Sequence, residues 1–215
     1  MGGFREVSVL FLICFQSWAV EEPEADPGRE PEVALGLRVV VNVYNGVNLS
    51  SSELSRAERE AERIFLYTGI QLNWATGLLA ADLNVNATIE RGNSASLHLR
   101  MWPRAIAGKR PSSETLGFCL SFENGDAVVL ADAIQKRAIR GSTHFADLLG
   151  LAMAHELGHL LLRSAAHSAT GIMQAQWTEK ARRDGDRGYL RFTPGEAESM
   201  RREVKRRMGV DSASK

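Results

Sequence analysis

Between Leu148 and Leu162 the chain is apolar at almost every position, yet it contains His155, Glu156 and His159. A helical segment with no polar face has to be buried, and a buried carboxylate or imidazole is costly unless it is paired or metal-bound. The spacing supplies a way out. Four residues is just over one helical turn, so His155 and His159 share a face about one turn apart. Two imidazoles so placed can bind one Zn²⁺. Glu156 projects beside the first of them, where it can take a proton from a metal-activated water. Of the five histidines, His155, His159 and His167 fall within thirteen consecutive residues.

Length and composition set the frame. The 215 residues suit one compact domain, and 44% apolar with 24% charged residues is ordinary for a globular chain. Zero formal net charge removes any global signal for nucleic acid or an anionic membrane. The Arg-rich stretch Arg182 to Arg207 is interleaved with Asp184, Asp186, Glu196, Glu198 and Glu203, the pattern of a solvated helix face.

The first nineteen residues have the layout of a secretory signal. Arg5 is the positive start, Val7 to Phe15 is an apolar run too short to span a bilayer, and Ser17-Trp18-Ala19 places small residues before a cleavage point. Residues 20–34 follow as an acidic, proline-containing leader that cannot bury much surface. Residues 35–215 are expected to be the catalytic domain, secreted or periplasmic, monomeric, and free of nucleic acid and of membrane after signal cleavage. Cys119 is then the one remaining cysteine, so no internal disulfide is available; its apolar run Leu116–Phe122 makes it a small core residue.

The domain reads as α+β. Gly36–Val47 is a β-branched strand ending at Asn45-Gly46, and Ser50–Ser52 caps a helix from about Glu53 to Tyr67 with a stripe of Leu54, Ala57, Ala61, Ile64, Phe65 and Tyr67. Ile70–Trp74 is a second strand, parallel to the first. Leu97–Trp102 is a third. Leu116–Phe122 and Ala127–Ala133 are two more across the turn at Glu123-Asn124-Gly125-Asp126. Ser142 or Thr143 caps the helix carrying the histidines, and Thr193-Pro194-Gly195-Glu196 starts a last helix running to about Met208. The sum is a twisted mixed sheet of about five strands with a backing helix, the histidine helix and a C-terminal helix.

A catalytic zinc site needs a third protein ligand. His167 is the nearest candidate if the chain leaves the helix near Arg163-Ser164 and folds back. Glu179, Glu196 and Glu198 are the rivals, in a His₂Glu site. His98 sits on a strand, at its surface or near the cleft, and His144 is about 16 Å along the helix from His155 by helical rise, too far to share a metal. Tyr189, following Met173, is a possible hydrogen-bond donor.

His155-Glu156-Leu157-Gly158-His159, His167-Ser168 and Gly171-Ile172-Met173 together resemble the metzincin zinc endopeptidases, with an HS…IM pattern most like the matrixin type. The resemblance implies His155, His159 and His167 as ligands of Zn²⁺, Glu156 as general base, Met173 as the methionine of the turn beneath the metal, and a metzincin-like order of elements. It implies a peptidase acting on a peptide or protein lying along a sheet-edge strand such as Leu116–Phe122. A zinc-binding module without turnover on the same scaffold is the alternative. The spacing departs from the family's: Leu162 stands at its glycine position and Ala165 at its third histidine. Arg163, Ser164 or an alanine must therefore turn the chain out of the helix, at some cost in strain.

Overall fold

The computed structural model describes residues 37–76, 95–106, 114–141, 143–178 and 190–209. The signal-like segment, the acidic leader, Ser142, Glu179 and Tyr189 lie outside them.

The β-branched run forms β1 (Arg38–Asn45), with Val39, Val41 and Val43 fully buried. Ser50 caps α1 (Ser51–Leu66) in a reciprocal box with Glu53. β2 (Gln71–Thr76) then returns parallel to β1, as the strand–helix–strand pattern predicts. β3 (Ala95–Trp102) joins the other side of β1, β5 (Asp126–Leu130) lies parallel to β3, and β4 (Gly117–Ser121) pairs antiparallel with β5. The five-stranded order is β2-β1-β3-β5-β4, so β4 is an edge strand running against the rest. The expected mixed sheet and helices are the observed α+β architecture.

The histidine-bearing helix is α3 (Phe145–Leu162), buried at every position from Leu148 to Leu161. Its length and apolarity would also suit a membrane span, but 83% of it is enclosed by the rest of the fold. It packs on α1, where Gly150 permits the approach: a Cβ there would come within 2.6 Å of the Ala57 carbonyl and of Glu60 Cβ. The last helix, α4 (Pro194–Arg207), begins with the predicted box between Thr193 and Glu196.

Three expectations need correction. The strand assigned to Ala127–Ala133 ends at Leu130, and residues Ala131–Gly141 form a helix, α2, that buries Ala131, Ala133, Ile134 and Ala138. The N-cap of α3 is His144, without a side-chain cap, while the Thr143 hydroxyl donates to the Gly141 carbonyl. Tyr67 ends α1 outside its buried stripe, and the Arg191 guanidinium lies 3.4 Å from its ring centroid.

Candidate metal centre

His155 and His159 are both buried on α3, and each ring is held by a backbone carbonyl. His155 Nδ1 lies 2.8 Å from the Ile172 carbonyl oxygen, and His159 Nδ1 lies 2.7 Å from that of Ser164. A carbonyl only accepts, so both Nδ1 atoms carry hydrogen and donate. Burial holds both histidines below their ordinary pKa, His155 at about 4, so both rings are neutral near pH 7. Each Nε2 is then a bare lone pair, and the two Nε2 atoms stand 3.0 Å apart. Facing lone pairs at that distance repel unless a cation lies against both. An imidazole anchored through Nδ1–H to a carbonyl is also the usual arrangement of a metal-ligating histidine.

His167 completes the set. Its ring centroid is 5.3 Å from that of His155 and 4.9 Å from that of His159, and the three potential ligand atoms lie within 4.8 Å of one another. Among the described residues these three side chains are the one group of His, Cys, Asp and Glu so placed. The donor set fits zinc: three imidazoles, two buried and one exposed.

The turn that brings His167 round is made without glycine. Arg163 adopts the left-handed conformation (φ 50°, ψ 37°) and its N–H bonds back to the His159 and Leu160 carbonyls. Its guanidinium is tied to Glu123 in the β4–β5 turn and lies 3.6 Å from Glu203 of α4, which is buried. The αL residue points Ser164 O at His159, so helix exit and ligand orientation are one event.

The Gly171-Ile172-Met173 segment supports the other histidine. Gly171 has φ +76°, and a Cβ there would lie 2.4 Å from the Arg191 carbonyl. Ile172 presents its carbonyl to His155 and also to Trp177 Nε1 at 3.0 Å, and Ser168 N–H donates to the Met173 carbonyl. Met173 is fully buried beneath α3, where the missing side chain of Gly158 makes room: a Cβ there would meet Met173 Sδ at 2.7 Å and Phe192 Cε1 at 2.6 Å.

Of the glutamate rivals, the two among the described residues are engaged elsewhere. Glu196 caps α4 and accepts from the Ser168 hydroxyl, and Glu198 pairs with Arg201 and Arg202 on the surface. His98 stacks on Tyr44, whose hydroxyl lies 3.2 Å from its Nδ1, and His144 is exposed at the start of α3; neither belongs to the group.

Glu156 is 5% exposed, and burial pushes its carboxyl up to about 8. It is pressed against β4: a Cβ on Gly117 would come within 2.6 Å of Glu156 Oε1 and 2.7 Å of the Val128 carbonyl. Cys119, half-buried rather than a full core residue, has its Sγ 4.0 Å from Glu156 Oε2. Burial, and then the neighbouring Glu156, push its thiol up to about 12, so it is no nucleophile. A cavity of about 470 Å³ opens here, lined by the three histidines, Glu156, β4 and Trp177. Gly117 and Trp177 are parts of the centre that sequence reasoning missed. A glycine opening a strand is a weak signal of close approach; nothing local marks Trp177, whose ring lies edge-on to His155 at 5.6 Å.

No family model matches this chain, and no curated protein matches it in sequence. Among solved structures it is similar to a zinc-dependent peptidase from Methanocorpusculum labreanum, at 11% identity and a TM-score of 0.49, over 74% of this chain and 99% of that one.

Proposed function

We propose that this chain is a secreted, metzincin-like zinc endopeptidase. The observation that carries this reading is the pair of buried, neutral imidazoles whose lone pairs meet at 3.0 Å, with a third histidine beside them and a buried glutamate between the pair and an edge strand. Met173 beneath α3 and the antiparallel edge strand support the family resemblance.

His155, His159 and His167 would hold the ion. When bound, Zn²⁺ supplies Lewis-acid polarisation of the scissile carbonyl and makes water a better nucleophile. The chain does the rest. Ile172 O and Ser164 O keep both ring tautomers fixed, so the Nε2 atoms stay available as donors to the metal. Glu156, seated between the histidines and β4, takes a proton from the attacking water and passes it to the leaving amine as the peptide C–N bond breaks. Among the described residues β4 is unpaired on its outer edge, beside Glu156, and a monomer can bind an extended peptide there by strand addition.

The test is Glu156→Gln. It should retain one equivalent of zinc and lose peptide hydrolysis by about 10²–10⁴-fold, the range for losing a general base. Full activity in that variant would remove the mechanism, and a wild type that holds zinc but cleaves nothing in a broad peptide library would point to the binding module instead.

A further inference from the structure

The cavity does not stop at Glu156. It continues past Ala152 and Leu148, which precede Glu156 by four and eight residues and so extend the same face of α3 by one and two turns. Leu148 and Ala152 are buried, and Leu116 and Phe118 also line the cavity, so this arm of it is apolar. Into this apolar lining come two charges, Glu114 and Arg137 of α2, and they form an ion pair with each other. Apart from Glu156 and the imidazoles, they are the charged side chains among the described lining residues.

Among the described residues the pair is balanced but unsaturated. Arg137 uses Nη1 on Glu114 Oε2, whereas a guanidinium has five N–H donors. Both side chains line the cavity and are partly exposed, Arg137 at 27% and Glu114 at 42%. A neutral side chain can fill the apolar arm and accept from Arg137 without disturbing the pair. A carboxylate entering there meets Glu114, and an ammonium meets Arg137, each while losing water.

We infer that the Glu114–Arg137 pair sets the side-chain selectivity of this cavity, admitting a peptide with a large uncharged side chain and rejecting both charge signs. The inference rests on the peptidase reading and names its substrate class. Glu114 supplies the repulsion against acidic side chains and keeps Arg137 from capturing them.

The experiment uses internally quenched decapeptides identical except at one residue, Leu, Gln, Glu or Lys, with that residue moved through each position flanking the cleaved bond. On the zinc-loaded wild type, Leu and Gln peptides should exceed Glu and Lys peptides in kcat/KM by about tenfold or more at one position, equivalent to about 1.4 kcal/mol. Glu114→Gln should raise the Glu-to-Leu ratio about tenfold at that position, Arg137→Gln should raise the Lys-to-Leu ratio, and the swap Glu114→Arg with Arg137→Glu should restore the original ranking. Ratios that stay within twofold in both single variants overturn the inference. If the wild type cleaves no peptide, the peptidase reading falls, and the same peptides are ranked by Kd on the zinc-loaded protein. A tenfold shift of the Glu-to-Leu binding ratio in Glu114→Gln then sustains the pair's role, and an unchanged ratio or no binding overturns it.

Discussion

His155 Nε2 and His159 Nε2 face each other at 3.0 Å, each on a ring whose Nδ1 is committed to a backbone carbonyl. The geometry stabilises the fold with a cation present and strains it without one. Zinc at 100 times its Kd should add about 2.7 kcal/mol, a rise of roughly 5–10 °C in Tm for a domain of this size. His159→Gln removes one lone pair from the encounter, and its amide can donate to His155. In EDTA the variant should melt at or above the wild type; with zinc it should melt below it. Scanning calorimetry in both conditions gives the four values. If the wild type is the more stable protein in EDTA as well, the lone-pair argument fails.

His167→Ala separates the third candidate ligand from the other two. The side chain is exposed, so its loss should leave Tm in EDTA nearly unchanged while zinc affinity falls by at least 10²-fold. Metal analysis after dialysis against competing chelator measures this. Unchanged zinc content would move the third ligand to a carboxylate.

Gly117→Ala tests the closeness of β4 to Glu156, the proposed base. The added Cβ would overlap Glu156 Oε1 and Cγ, which can turn aside, and the Val128 carbonyl, which belongs to the neighbouring β5 and cannot easily move. A cost of about 1–3 kcal/mol in stability is expected from overpacking. The larger effect should be on rate: a base displaced by about 1 Å loses roughly 10²-fold in kcat with zinc content unchanged. A variant with normal kcat would show that Glu156 tolerates a different seat.

Burial of Glu156 also predicts a pH dependence of stability in the EDTA-treated protein. Its folded pKa, about 8, lies above its ordinary value of 4.5, so the folded state holds the proton more tightly than the unfolded one. Stability from this group is fully present below about 4.5 and is lost as pH rises towards 8. The buried histidines act in the other direction: their lowered pKa values cost stability as pH falls below about 6.5. Subtracting urea-unfolding curves isolates the carboxyl: Glu156→Gln should gain on the wild type by a few kcal/mol between pH 5 and pH 8. A pH-independent difference would mean that the carboxylate finds compensation on ionising.

What the chain reveals locally and what it hides differ by sequence separation. Ser50 with Glu53 and Thr193 with Glu196 are caps made within one turn, and both are visible as residue patterns. The His155–His159 pair is visible for the same reason, as is the need for a non-glycine exit that Arg163 supplies. The boundary between β5 and α2 is not, because no glycine or proline separates Leu130 from Ala131 and the apolar residues run on through both. That Glu196 is engaged away from the histidines rests on its contact with Ser168, twenty-eight residues apart. Gly117 against Glu156 and Ile172 O against His155 are likewise contacts between elements that only the folded sheet and turn bring together.

Arg163 joins the exit turn to the rest of the molecule and holds a conformation that a side chain disfavours. Its φ of 50° costs about 1–2 kcal/mol relative to glycine, and its contacts with Glu123 and buried Glu203 offset that. Arg163→Ala keeps the strain and loses the contacts; Arg163→Gly loses both. Stability should therefore fall in Arg163→Ala and remain close to wild type in Arg163→Gly. Zinc affinity should follow the same order, because the turn carries the Ser164 carbonyl that fixes the His159 ring. Chemical denaturation and a chelator competition assay on the two variants give both rankings. If alanine and glycine behave alike, the left-handed residue is not what sets the turn.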